Sequence, residues 1–202
     1  MIALIDYGMG NLASVDKALR HVGVEPLVTS DPADVERADA LVLPGVGACG
    51  DCMANLRDGG LLQPVKDAIA AGKPYLGICL GLQILFDESE EGGGVRGLGV
   101  LPGKVQRFRH QLKIPQIGWN QINIKSSAPH LAGVAEGSWV YFVHSYHVVP
   151  EDETVIATTT DYGYQFVSAV HCGSIFATQF HPEKSQEVGL QILRNFGQVV
   201  LL

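Results

Sequence analysis

The sequence has no run of lysine or arginine, no apolar stretch long enough to span a bilayer, and only four cysteines in 202 residues. Each shortage narrows what the chain can do. Lys and Arg total 14 against 21 Asp and Glu, a formal charge of -7. That balance disfavours a nucleic acid as the main ligand, because phosphate binding needs a basic surface. The opening Met1-Ile2-Ala3-Leu4-Ile5-Asp6 has neither the basic segment nor the long apolar core of an export signal. A soluble cytoplasmic protein with no membrane contact is therefore expected. In that compartment Cys49, Cys52, Cys79 and Cys172 are expected to stay reduced. Cys49 and Cys52 form a CxxC that His144 and His147 could complete as a zinc set, but the spacing is loose and no second CxxC supports it. No metal and no cofactor is expected.

What is present suits a packed enzyme. Hydrophobic residues make up 47% of the chain and charged residues 17%, and the length fits one domain over residues 1–202. Apolar runs at residues 2–5, 26–29, 40–43 and 74–76 read as buried strands. Helical spacing separates them: Leu12, Val15, Leu19 and Val22 behind an Asn11 cap, a short helix after Asp31-Pro32, then Leu62, Val65 and Ile69 ending at Gly72. Strand and helix in alternation imply a parallel sheet with crossover helices, whose ligands sit at the carboxyl ends of the strands. From Leu98 the pattern changes to short strands at 104–108, 121–125, 139–143, 155–160, 165–170 and 175–179, expected to extend the sheet with antiparallel members. A last helix is expected from near Ser185, burying Val188, Ile192, Leu193, Phe196 and Val200. The acidic, glycine-rich stretch 88–94 reads as a mobile surface loop.

Chemistry concentrates at three strand ends. Gly77-Ile78-Cys79-Leu80-Gly81 lies between an apolar strand and a helix-like stretch at 82–86. This is the layout of a nucleophile elbow, with Cys79 at the apex of a crowded turn. Pro44-Gly45-Val46-Gly47 follows another strand; the proline is expected to stop that strand, and the glycines free backbone N–H groups to meet a developing oxyanion. Near the last strand, His181-Pro182-Glu183 offers an imidazole with a carboxylate two residues away. A thiol nucleophile needs a base to remove its proton and an acid to protonate a leaving amine, and an oriented imidazole does both. The other histidines, His21, His110, His130, His144, His147 and His171, lack this setting and are mostly expected at the surface. Each motif by itself also fits an ordinary turn.

Together, Gly77 to Gln83 and His181-Pro182-Glu183 resemble the class I (triad) glutamine amidotransferases. The stretches 6–12, 44–48, 115–120, 141–146 and 179–186 are similar to the glutaminase subunits of imidazole glycerol phosphate synthases, in the same order over nearly the whole chain. The resemblance implies an α/β fold with a mixed, mostly parallel central sheet flanked by helices, and additional antiparallel strands in the C-terminal half. It implies glutamine hydrolysis by Cys79, His181 and Glu183. Backbone N–H groups of Leu80 and the Gly45-Val46 turn would hold the oxyanion, and Gly47, Gln83, Ser145 and Tyr146 would bind glutamine. It also implies a heterodimer with a (β/α)8 cyclase subunit, docked at Asn11, Trp119, Tyr141 and Lys184. That partner would use the ammonia to turn a phosphoribulosyl-formimino-AICAR phosphate into imidazole glycerol phosphate and AICAR, in histidine biosynthesis. Two residues depart from the pattern: Cys49 stands where an aromatic is frequent, and Gln116 where His is common. The rival readings are another triad amidotransferase, a peptide-directed cysteine hydrolase and a non-catalytic regulatory subunit.

Overall fold

Apolar residues supply both faces of a sheet from the first strand onward. In the computed structural model, which describes residues 1–201, Ile2 and Leu4 of β1 (Ile2–Ile5) enter one core while Ala3 and Ile5 enter another. A strand buried on both sides needs helices on both sides. The chain provides them in alternation: α1 (Leu12–His21), β2 (Pro26–Thr29), α2 (Pro32–Arg37), β3 (Ala40–Gly45), α3 (Cys49–Asp58), α4 (Leu62–Ala70), β4 (Tyr75–Cys79) and α5 (Leu80–Gln83). Next come β5 (Phe86–Ser89), β6 (Val95–Arg96), β7 (Leu101–Arg107), β8 (Gln116–Gln121), β9 (Asn123–Ile124), β10 (Trp139–His144) and β11 (Tyr146–Pro150). β12 (Ile156–Asp161), β13 (Gln165–Cys172), β14 (Ile175–Thr178) and α6 (Gln186–Val200) complete the chain. One core takes Val35 of α2, Leu56 of α3 and Val65 of α4; the other takes Val15 and Leu19 of α1 with Ile192, Leu193 and Phe196 of α6.

The main sheet runs β2-β1-β3-β4-β14-β13-β11-β7-β5-β6. From β2 to β14 its neighbours are parallel, and from β14 to β7 they are antiparallel. β12 joins β13, with β9 beside it, while β8 and β10 form a separate antiparallel pair. The α/β expectation and its antiparallel second half describe this architecture. The carboxyl ends of β3, β4 and β14 lie next to one another.

Several local expectations are corrected. Pro44 does not stop its strand: the ladder to β1 ends at Val42, while pairing with β4 continues through Pro44 and Gly45. The helix after Cys79 is one turn, because Phe86 leaves it to pair with Leu101. The 88–94 stretch is therefore partly strand, followed by a 3-10 turn at Glu91–Gly93. The strand placed at 121–125 is split, with β8 ending at Gln121 and β9 covering Asn123–Ile124. α3, β6, β11 and all of β8 before Gln121 escaped the sequence reading. His130, His144 and His147 are buried, not surface residues. His130 stacks on Phe176, and His144 and His147 pack on Phe108, so their rings serve as core aromatics.

Candidate active site

Crowding forces the elbow. Cys79 takes φ 55°, ψ -101°, a conformation that costs a non-glycine residue energy and persists only where surroundings impose it. The flanking glycines do not supply that strain; they make room for it. A side chain at Gly81 would collide with the Leu43 carbonyl oxygen, and one at Gly77 with the Gly81 carbonyl. The Tyr75 hydroxyl ties the turn from beneath, donating to the Gly81 carbonyl at 2.8 Å.

Cys79 is 7% exposed, and behind it lies a buried pair. His181 Nδ1 is 2.8 Å from Glu183 Oε1, with both side chains almost wholly out of solvent. Nε2 of His181 and the second carboxylate oxygen of Glu183 have no conventional hydrogen-bond partner. Burial pushes the His181 pKa down, but its interaction with Cys79 and with Glu183 pushes it up further, to about 10. The direction of the shift favours the imidazolium, held between Cys79 and the Glu183 carboxylate. Ser185 Oγ donates to the His181 carbonyl at 2.6 Å and accepts from the Tyr141 amide at 3.0 Å, while the His181 amide donates to the Tyr141 carbonyl at 2.9 Å. The histidine is fixed from its ring and from its backbone.

In front of the sulfur opens a cavity of about 290 Å³. The predicted residues Val46, Gly47, Cys79, Leu80, Gln83, Ser145 and Tyr146 all line it. Gly45 pairs with Cys79 across the β3–β4 ladder, and the loop bearing Asn11 packs against it, Gly10 lying close to Pro44 and Gly45. Sequence reasoning missed Glu91. It is the one acidic side chain lining the cavity among the described residues, and its carboxylate accepts from the Cys49 amide at 2.7 Å. Its signal was present, an acid in a glycine-rich stretch, but nothing in sequence joined residue 91 to residue 79. His144, also at the wall, is kept neutral: burial lowers its pKa to about 3. Its Nδ1 lies 2.7 Å from the Tyr146 carbonyl and its Nε2 2.8 Å from the Gln116 side-chain oxygen.

The remaining predicted residues gather elsewhere. Trp119 and Tyr141 are directly opposite across the β8–β10 pair, their rings 6.0 Å apart and edge to face. Lys184 Nζ stands 5.9 Å from the Tyr141 ring centre. Trp119 is 43% exposed, and Ile117 and Trp139 of the same two strands are 58% and 54% exposed. Asn11 is exposed as the cap of α1. The cysteine pair beside the site is buried and favours the thiol form: burial first, with the neighbouring Glu91 carboxylate, pushes the Cys49 thiol up to about 11, and burial pushes Cys52 up to about 12. No cluster of three metal-ligating side chains occurs among the described residues.

Comparison with known proteins matches this arrangement. The family model for glutamine amidotransferase class-I covers residues 3–199. The chain is 55% identical to the imidazole glycerol phosphate synthase subunit HisH of Syntrophotalea carbinolica, over 98% of this chain and 100% of that one. It is likewise 55% identical to the subunit of the same name from Aquifex aeolicus, over 96% and 94%. Among solved structures, a glutamine amidotransferase superposes over 100% of both chains with a TM-score of 0.78 at 20% identity, a likeness of fold. With an elbow cysteine, a buried histidine and carboxylate behind it and a family model spanning nearly every element, the chain belongs to the class I glutamine amidotransferases.

Proposed function

We propose that residues 1–202 act as a single glutaminase domain, which hydrolyses L-glutamine and delivers ammonia to a (β/α)8 cyclase subunit of imidazole glycerol phosphate synthase. The observation that carries this reading is the buried His181–Glu183 pair, whose ring also interacts with Cys79. Cys79 Sγ attacks the side-chain amide carbon of glutamine, and the carbonyl electrons move to oxygen. N–H groups of Leu80 and of the Gly45–Val46 turn receive that oxyanion, and such donors contribute about 2.7–4 kcal/mol each. His181 gives its proton to the departing nitrogen, and ammonia leaves a γ-glutamyl thioester. Water then attacks with its proton passing to His181; the C–S bond breaks, its electron pair returns to sulfur, and glutamate is released. Glu183 steadies the imidazolium throughout.

The cavity suits an amino acid. Glu91 supplies a negative charge for the α-ammonium group of glutamine, while Gly47, Gln83, Ser145 and Tyr146 supply polar contacts along its length. The exposed Ile117, Trp119 and Trp139, with half-buried Tyr141 and Lys184 beside them, make a surface that is apolar and aromatic in the way of an interface centre. Its β10 strand is hydrogen-bonded to His181 and Ser185, and the Asn11 loop adjoins the Gly45 turn. Docking of the cyclase is thereby coupled to the catalytic groups, a two-state activation in which the Gly45–Val46 peptide becomes competent only in the loaded complex. No helix among the described residues is long and apolar enough to cross a membrane, and a cytoplasmic biosynthetic heterodimer follows from this reading.

The test is glutamate release by this chain mixed with the cyclase, with and without the ribonucleotide substrate of the cyclase. Strong stimulation by both together is expected. Full activity of the isolated chain would remove the coupling, and inactivity in every mixture would remove the glutaminase.

A further inference from the structure

One buried side chain contacts the nucleophile without belonging to the triad. Gln179 follows β14, is fully buried, and places its amide nitrogen 3.5 Å from Cys79 Sγ. An amide nitrogen and oxygen look alike by shape, so the network must decide which one faces the sulfur. It starts from an atom of fixed character: the Tyr146 backbone carbonyl only accepts. The atom of Gln83 that lies 3.1 Å from it is therefore the nitrogen. That same nitrogen is 3.1 Å from the Gln179 side chain, which must turn its oxygen to receive a second N–H. The other end of Gln179, its NH2, is then committed to Cys79. Both hydrogens of the Gln83 amide nitrogen are spent in this way, and Gln83 retains only its oxygen for a ligand in the cavity it lines.

We infer that Gln179 is a further catalytic side chain of the glutaminase reaction, an N–H donor to the sulfur that is set in place by Gln83 and the Tyr146 carbonyl. The inference rests on the glutaminase reading and deepens it. A donor to sulfur favours thiolate over thiol. It acts again when the thioester is hydrolysed, as the C–S bond breaks and the electron pair returns to Sγ. Gln179 does not line the cavity in front of Cys79, so its contribution falls on turnover and not on glutamine binding. Because Gln83 and Tyr146 hold the relay from the substrate side, occupation of the cavity and readiness of the sulfur share one hydrogen-bonded chain.

The test uses the complex with the cyclase and two variants, Gln179→Glu, which keeps the shape and replaces the donor by an acceptor, and Gln179→Met, which removes polarity at similar length. Alkylation of Cys79 by iodoacetamide is followed on its own peptide by mass spectrometry. At neutral pH the rate is expected to fall by about tenfold, the size of a hydrogen bond to a charged group, and to recover at alkaline pH where thiolate forms without help. The turnover number for glutamine falls alongside, with KM for glutamine and ammonia-dependent synthesis unchanged. Parental alkylation at neutral pH in both variants would overturn the inference. So would a loss of equal size at neutral and alkaline pH, which marks a structural role. A parental complex that is alkylated at Cys79 yet never hydrolyses glutamine would instead overturn the glutaminase reading, since alkylation does not depend on it.

Discussion

Gly45 lies directly opposite Cys79, the two forming the last pair of the parallel β3–β4 ladder. Cys79 and the turn proposed to receive the oxyanion thus share one hydrogen-bonded register. Leu80 packs against Gly45, as does the Tyr7 hydroxyl, so a side chain at Gly45 would find no room.

Replacement of the nucleophile separates the two halves of the reaction. Cys79→Ala in the complex is expected to abolish glutamine-dependent turnover and to leave synthesis from added ammonia intact. Measuring both with the same preparation checks it; equal loss of both would assign Cys79 to assembly.

The cavity carboxylate is expected to act on substrate binding. Glu91→Gln removes a charged partner of the α-ammonium, an interaction of about 1.5–3 kcal/mol, so KM for glutamine should rise roughly ten- to hundredfold. Steady-state kinetics of the complex reads this directly, and an unchanged KM would place Glu91 in the architecture of α3 alone.

Ionisation of His181 gives stability a sign. Its folded pKa is raised to about 10 from an ordinary value of 6.5, so its contribution is complete below that ordinary value and is lost as pH climbs through about 10. Denaturant unfolding of the parent and of Glu183→Gln should therefore show the greatest stability difference near neutral pH and a shrinking one toward alkaline pH. A difference that is flat or growing over that window would mean that the ring is neutral.

Steric demand at the elbow predicts a stability defect of its own. Gly81→Ala drives a methyl group into the Leu43 carbonyl, and backbone in a buried sheet yields little; a loss of about 3 kcal/mol is expected in chemical denaturation. Gly72→Ala tests the contrast: open space surrounds Gly72, but its φ of 78° is unfavourable for alanine, so its cost is set by backbone conformation and should be smaller, about 1–2 kcal/mol.

Exposed aromatics predict a binding defect without a folding defect. Trp119→Ala should weaken association with the cyclase by about 2 kcal/mol, roughly thirtyfold in Kd, while the unfolding midpoint of the free chain stays near the parent's. Titration calorimetry and thermal unfolding together check it, and a large loss of stability would make Trp119 a core residue after all.

Local pattern determined much of this protein. The four strands β1 to β4, the Asn11 and Asp31 caps, and the elbow at Cys79 follow from apolar runs, capping residues and glycine spacing, all set by neighbours in the chain. His181 and Glu183 were legible for the same reason, being two residues apart around a proline. Tertiary structure decided the rest, because hydrogen-bond partners and burial depend on residues far away in sequence. Pro44 stays in its strand since β1 has already ended beside it. Phe86 turns from helix to strand since Leu101 waits across the sheet. His144 and His147 are core rings because Phe108 and Phe166 close over them. Glu91 and Gln179 enter the site only when the sheet brings residues 91 and 179 to the cysteine at 79. Sequence named the nucleophile and its base by local geometry; only the assembled sheet supplied the carboxylate and the amide that surround them, since those contacts are made across space and not along the chain.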